Sequence, residues 1–181
     1  MKYLVLIAAL LTNIAWAETA SDRALAYFDD INDRNFSAAA GQFDPAQLKE
    51  FRTMMEFYKE LPPEVQTEFV QGFFGPTQTV ESINELSDVE FFAGVFNFVM
   101  RQADQAGGIN FEGVEILGEV KEGDNIAHLV TRNRVSVGEI EVEAMEVVSL
   151  KKQGEGWRML MAGNIKGLPA QLNAVFSQAQ Q

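Results

Sequence analysis

The hydrophobic period of this chain changes once, near Phe111, and that change constrains the fold more than any other feature. Up to about residue 105 the apolar residues recur every three to four positions, as on one face of a helix. From Phe111 onward they alternate with polar residues, as in strands with one buried face. Ala106-Gly107-Gly108 separates the two regions. A helical half followed by a strand half predicts an α+β fold.

Capping residues and prolines define the predicted helices. Ser21 is the predicted N-cap of the first helix, and Asp44-Pro45 has the pattern of a cap followed by a proline at the first helical position. Pro62-Pro63 ends that second long helix. The helices are predicted over residues 21–34, 36–41, 45–61, 64–74, 87–105 and 168–178.

The strands are predicted to form a four-stranded antiparallel meander over residues 111–121, 125–136, 139–152 and 157–163. A two-residue turn at Val137-Gly138 fixes the register of the second and third strands. In that register two pairs of opposite charge lie on one face of the sheet, Arg132 with Glu143 and Arg134 with Glu141. The other face is mostly apolar and also carries Glu146.

The first seventeen residues have the pattern of a secretory signal peptide. Lys2 precedes an apolar run over residues 4–11, and Ala15-Trp16-Ala17 is a cleavage site of small residues. We predict cleavage after Ala17 and a periplasmic or secreted protein. Because the chain has no cysteine, we expect neither a disulfide nor a lipoprotein anchor.

The composition excludes several classes of partner and chemistry. The chain carries 26 acidic and 14 basic side chains, a net charge of −12, and lacks the clustered lysine and arginine that nucleic acids and anionic membranes attract. With His128 as the single histidine, on the face predicted to be at the surface, an ordinary zinc site is excluded. We expect no metal, no cofactor and no membrane insertion, and we assign no catalytic residue.

The two ends of the chain resemble the NTF2-like (ketosteroid-isomerase-like, SnoaL-like) superfamily. The resemblance covers roughly residues 20–45 and 111–165, and rests on Ala-Tyr-Phe-Asp-Asp-Ile-Asn-Asp-Arg-Asn-Phe in the first helix, Val-Glu-Ala-Met-Glu-Val-Val-Ser-Leu in a strand, and Gly-x-Gly-Trp-Arg-Met-Leu near the end. It implies a curved sheet wrapped around a helix as a cone, with a ligand pocket at the open end. We therefore expect residues 18–181 to form a single domain, with a helical insertion over 45–106 and a short C-terminal helix.

The resemblance also suggests two site residues. Tyr27 matches the hydrogen-bond-donating tyrosine of the steroid isomerases, and Glu146 matches their protonated aspartate. The segment that supplies their general base is replaced here by the insertion, in which no acid matches, and Asp44 has the pattern of a helix cap. A carboxyl group on an apolar strand face is costly unless it is paired or neutral, so we expect Glu146 to be a buried acid, held either by structural partners or for function.

The sequence leaves three function classes open. We favour an exported, non-enzymatic domain that binds a small apolar or weakly polar ligand, or a protein partner, in the cavity between helices and sheet. Trp157, Met159 and Met161 alternate inward on the last strand and either pack in the core or form an apolar wall of the cavity. With the wall, Trp157 and Met161 join Tyr27 and Glu146 as predicted ligand-binding residues. The alternatives are an isomerase-like or hydratase-like enzyme that uses Glu146 and Tyr27, and an assembly subunit that dimerises through the outer sheet face (Ile126, Val130, Met145 and Val147).

Overall fold

The computed structural model of the protein describes residues 18–105 and 107–178, and the predicted signal peptide lies outside the described residues. Helices precede an antiparallel sheet of order β1-β2-β3-β4, and a final helix follows it, which confirms the α+β class and the meander. The elements are α1 (Ala20–Asn32), α2 (Phe36–Gly41), α3 (Pro45–Met55), a 3₁₀ helix (Glu56–Glu60), α4 (Pro63–Phe74), α5 (Val80–Asn84), α6 (Asp88–Gln105), β1 (Ile109–Glu122), β2 (Ile126–Val137), β3 (Ile140–Gln153), β4 (Gly156–Met159) and α7 (Gly163–Gln178).

Local capping explains where the helices begin. Thr19, rather than the predicted Ser21, caps α1, because Thr19 and Asp22 form a reciprocal capping box. Asp44 caps α3 as predicted, and its Oδ1 accepts a 2.8 Å hydrogen bond from the backbone N–H of Ala46. The helix predicted over 45–61 stops at Met55 and continues as the 3₁₀ helix.

The predicted register of β2 and β3 is wrong by two residues, although the predicted faces are correct. Arg134 lies opposite Glu143, and Val137 lies opposite Ile140, so the two-residue turn is Gly138-Glu139. Gly138 has φ = 61° at the first turn position, where a tight hairpin turn accommodates glycine without strain. A shift of two residues keeps each side chain on its face, because side chains alternate with a period of two.

Helix α1 packs across the inner face of the sheet and contacts all four strands. Its buried side chains include Ala24, Tyr27, Phe28 and Ile31, the stripe expected from the helical period. A second layer consists of helices, in which α2, α3 and α4 pack on α6. Their phenylalanines supply much of the core, and Phe51, Phe69, Phe73, Phe91 and Phe92 are buried.

Two glycines in the insertion helices have opposite surroundings. Gly94 lies inside α6 beneath the ring of Phe74 from α4, and a Cβ at Gly94 would be 2.6 Å from Cδ1 of that ring. Gly72 lies inside α4 with no other atom within 4 Å of the equivalent position. The Phe74 ring of α4 therefore packs against α6 in the space that a side chain at residue 94 would occupy.

The short edge strand β4 is tied to the beginning of the described chain. The backbone N–H of Asp44 donates to the carbonyl of Met159 at 2.9 Å, and the N–H of Met159 donates to the carbonyl of Gln42 at 2.9 Å. The carboxylate of Glu18 accepts from the backbone N–H of Trp157 at 3.2 Å. These bonds cover the edge of β4, which would otherwise present unpaired backbone groups to solvent. Within the described residues no helix is both long and apolar enough to cross a bilayer.

Candidate functional site

A cavity of about 230 Å³ lies between α1 and the inner face of the sheet and opens to solvent. Its wall is mostly apolar and combines one face of α1, the inner faces of β2 and β3, the end of β4 and the start of α7. The side of α1 contributes Tyr27, Phe28 and Ile31. Polar groups on the sheet come from Asn133 and Glu146, and further apolar lining comes from Phe43, Phe96, Phe111, Val135, Ala144, Val148, Met159, Leu160, Ala162 and Ile165.

Tyr27 lies where α1 faces the sheet, and it lines this cavity. The residue is 8% exposed, and its ring makes edge contacts with Phe28 and Phe43 at centroid distances of 5.3 and 5.4 Å. Burial raises the pKa of the Tyr27 hydroxyl, and the negative charge of Glu146 raises this pKa further. Tyr27 therefore keeps its proton and can donate or accept a hydrogen bond in the cavity.

Glu146 lines the same cavity, but the expectation that it is buried is wrong. Its side chain lies on the predicted inner face, yet the residue is exposed, as are most of residues 140–147 on β3. On β2 the inner face is already buried at this level, at Thr131 opposite Glu146, whereas along β3 it is fully buried only further along, at Leu150. Oε2 of Glu146 accepts a 3.1 Å hydrogen bond from Nδ2 of Asn133.

Asn133 is a site residue that the sequence reasoning did not select. It lies on β2 opposite Ala144, lines the cavity and is 6% exposed. The sequence contained a signal for it, because Asn133 is a polar residue on the predicted inner face of the sheet, the same face that carries Glu146. Within the described chain its Oδ1 atom is buried without a hydrogen-bond partner, which is uncommon for a native polar group.

The structure separates the other two predicted ligand-binding residues from this cavity. Trp157 and Met161 are buried in the core at 8% and 7% exposure, and neither is among the described residues that line the cavity. Between them, Met159 and Leu160 do line it. The alternation of side chains along the last strand indicates which of them point inward. It does not distinguish the side chains that line the cavity from those that pack on α1.

His128 lies away from the cavity, on the outer face of the sheet as predicted. Its Nδ1 is 2.8 Å from the hydroxyl of Ser149, and its Nε2 is 3.3 Å from the carboxylate of Glu122. In the part of the chain that the structure describes, no group of three or more histidine and acidic residues is arranged to hold a metal ion. Apart from Tyr27 and Glu146, no described residue lining the cavity has an ionisable side chain.

The order of the elements, with α1 across a four-stranded meander and a cavity between them, is the arrangement that the NTF2-like resemblance implies. No family model matches the sequence. No curated protein matches it either. Among solved structures, the chain is similar to a protein from Campylobacter jejuni that is provisionally assigned as an NTF2-like transpeptidase. The two share 12% sequence identity with a TM-score of 0.42, over 80% of this chain and 100% of that one.

Proposed function

We propose that the protein is an exported, non-enzymatic binding domain that takes a small, mostly apolar ligand in the cavity between α1 and the sheet. The observation that carries this proposal is the composition of the cavity. An open, apolar concavity with a few convergent polar groups is the usual form of a small-molecule site, and here the polar groups include Tyr27, Asn133 and Glu146.

The size of the cavity limits the ligand. Sites for drug-sized molecules occupy about 300–1,000 Å³, and this cavity measures about 230 Å³. A ligand that fits inside is therefore small, unless part of it extends along the exposed inner face of the β2–β3 hairpin or into an adjoining concavity of about 380 Å³ that shares Glu146, Ala162 and Ile165. Ile140 and Val142 are exposed on that face and would contact such an extension.

Two variants on adjacent residues test the site. Ala144 lines the cavity, and Met145 points to the opposite face of β3 with 65% exposure. We expect Ala144→Phe to fill the cavity and Met145→Phe to leave it open. The measurements are native mass spectrometry of the purified protein, for a retained ligand, and calorimetry with 4-phenylbutanol as a probe. If wild type carries no ligand and does not bind the probe, or if Ala144→Phe binds it as well as Met145→Phe, the proposal is wrong.

Export is a separate part of the proposal and has its own test. The sequence from Lys2 to Ala17 supports it, because the apolar run and the small residues at the cleavage site have the order of a signal peptide. Intact-mass measurement of the extracytoplasmic fraction should give a chain that begins at Glu18. A chain that keeps Met1 and remains in the cytoplasm would contradict export without affecting the binding proposal.

The enzymatic alternative uses the same cavity. Tyr27 could donate a hydrogen bond to a substrate carbonyl while Glu146 removes a neighbouring proton, and both side chains line one space. We favour binding because Glu146 is the single carboxylate among the described lining residues and is exposed, so these residues supply no base that is shielded from solvent. Exchange of deuterium from solvent into a small ketone such as cyclohexanone, dependent on both side chains, would instead support the enzyme.

A second proposal concerns the outer face of the sheet, where we infer contact with a second copy of the chain. Val120, Met145 and Val147 are 61%, 65% and 57% exposed there, and Val130 lies between Gly118 and Val147 in the ladder. The surrounding charges have both signs, since Arg132 pairs with Glu115 on β1 and with Glu143 on β3. A twofold axis could therefore place positive groups of one copy opposite negative groups of the other. Light scattering should give a dimer that Met145→Asp dissociates, and a wild-type monomer at high concentration would refute it.

A further inference from the structure

The charged side chain that lines the cavity is negative, and no positive side chain among the described lining residues balances it. Glu146 supplies a carboxylate, and none of the described residues that line the cavity is a lysine, an arginine or a histidine. Its partner in the structure is the neutral amide of Asn133 at 3.1 Å. Glu146 is exposed but has an apolar wall beside it, so a ligand that fills the cavity would displace water from that side and strengthen the attraction of its own cation to the carboxylate.

The orientation of Asn133 adds to this negative potential. A carboxylate only accepts hydrogen bonds, so the amide must turn its NH₂ group toward Glu146 and its oxygen away. That oxygen, Oδ1, is the buried atom that lacks a partner within the described residues. The amide that donates to the carboxylate therefore carries a second acceptor, Oδ1, close to it, and no donor within the described residues bonds to this oxygen.

The remaining wall suits the apolar part of a cationic ligand. Phe28, Phe43 and Phe96 contribute aromatic rings to the lining, and the faces of such rings attract cations as well as apolar groups. A ligand that carries a carboxylate or phosphate would place its charge near Glu146 without a cation from the described lining to offset it. The site therefore discriminates against anionic lipids and carboxylic acids.

We propose that the ligand is a hydrophobic amine, protonated at neutral pH, whose ammonium group is held by Glu146 while its apolar body lies against the wall formed by α1 and the sheet. This inference rests on the proposed binding function and names the chemical class of ligand for that same cavity. Glu146 acts as the counter-ion, and Asn133 acts as a positioning residue that orients the carboxylate through the 3.1 Å hydrogen bond.

Three probes with the same apolar body test the proposal: 4-phenylbutylamine, 4-phenylbutanol and 4-phenylbutyrate. Calorimetry on wild type should show the amine binding about tenfold more tightly than the alcohol, as expected when a charge-assisted hydrogen bond replaces a neutral one. The carboxylate should bind most weakly. In Glu146→Gln the amine should lose its advantage while the alcohol binds as before. Glu141→Gln, which removes the same charge from the outer face of β3, should behave like wild type.

The binding results distinguish an error in the proposed ligand class from an error in the proposed binding function. If the alcohol binds, and Ala144→Phe blocks it, but the amine shows no advantage or keeps its advantage in Glu146→Gln, the cavity is a ligand site and the cationic class is wrong. Tighter binding of the carboxylate than of the amine would also overturn the inference. If none of the three probes binds to wild type, the proposed function fails together with it. Melting temperatures of the variants should stay close to wild type, because Glu146 and Glu141 are exposed.

Discussion

Replacing Gly94 by alanine should destabilise the protein although alanine is the better helix former. In an exposed helix interior, glycine to alanine stabilises by about 1 kcal/mol. At Gly94 the new methyl group would lie 2.6 Å from Cδ1 and 2.7 Å from Cε1 of Phe74, closer than carbon atoms approach without repulsion. Either α4 and α6 move apart, or the Phe74 ring leaves its contact with Phe91, where the ring centroids are 5.0 Å apart.

Gly72 provides the matched control for the same substitution. It also lies inside a helix, but no atom outside its own turn is within 4 Å of the added methyl group. Gly72→Ala should therefore show the helix-propensity gain alone. Overpacking a core costs about 1–3 kcal/mol, so Gly94→Ala should be less stable than Gly72→Ala by about that amount. For a domain of this size, each kcal/mol corresponds to about 2–4 °C in Tm.

Urea unfolding followed by circular dichroism measures both free energies of unfolding. A third variant, Phe74→Leu, removes the ring, and in that background Gly94→Ala should cost little or become stabilising. The double-mutant cycle should therefore give a coupling energy of at least about 1 kcal/mol between residues 74 and 94. Equal stabilisation by Gly94→Ala and Gly72→Ala, or no coupling to Phe74, would show that α4 and α6 are not packed as closely as described.

Three further predictions concern the cap, the cavity tyrosine and the hairpin. Asp44→Ala should lower the free energy of unfolding by about 1–3 kcal/mol in urea, because it removes the α3 cap and the acceptor for Gln153 at 2.8 Å; a neutral effect would contradict both roles. Burial raises the pKa of Tyr27 above its unfolded value of about 10, so its contribution to stability is complete below that pH and is lost as the pH rises further. Alkaline unfolding curves should be less steep in Tyr27→Phe, and identical curves would refute the coupling. Gly138→Ala should destabilise by about 1 kcal/mol because φ is 61° there, and an unchanged Tm would contradict that backbone conformation.

The spacing of the apolar residues and the alternation of side chains along the strands predicted most of the fold and part of the site. The switch near Phe111 separates the helices from the sheet, and parity assigned Ala127, Leu129 and Glu146 to one face, as observed. The predicted register was wrong because the turn was placed at Val137-Gly138, whereas Gly138, with its positive φ, is the first residue of the observed turn. The resulting shift of two residues leaves every side chain on the same face. Parity alone could not detect that error, since the face of each residue is the same in both registers.

The burial of Glu146 was overestimated for a different reason. Alternation along β3 specifies which face a residue occupies, but the extent of the helical cover depends on where α1 crosses the sheet. That crossing buries Leu150 and leaves residues 140–147 partly or fully exposed. The face shared by Asn133 and Glu146 could be predicted, but their hydrogen bond could not. It joins two residues that are diagonal neighbours in the observed register, and the predicted register placed them further apart.

The bonds that join β4 and the end of β3 to the beginning of the described chain determine when folding can be completed. Glu18 and Trp157 are 139 residues apart, Gly41 and Arg158 are 117 apart, and Asp44 and Gln153 are 109 apart. Contacts of such long range slow folding, because a long loop must close before they form. Synthesis proceeds from the N-terminus, so the apolar side of α1 is made well before β4 and must wait for it. During that interval Tyr27 and Phe28, which are buried in the folded protein, lack the sheet that covers them, so the unfinished chain exposes an apolar surface.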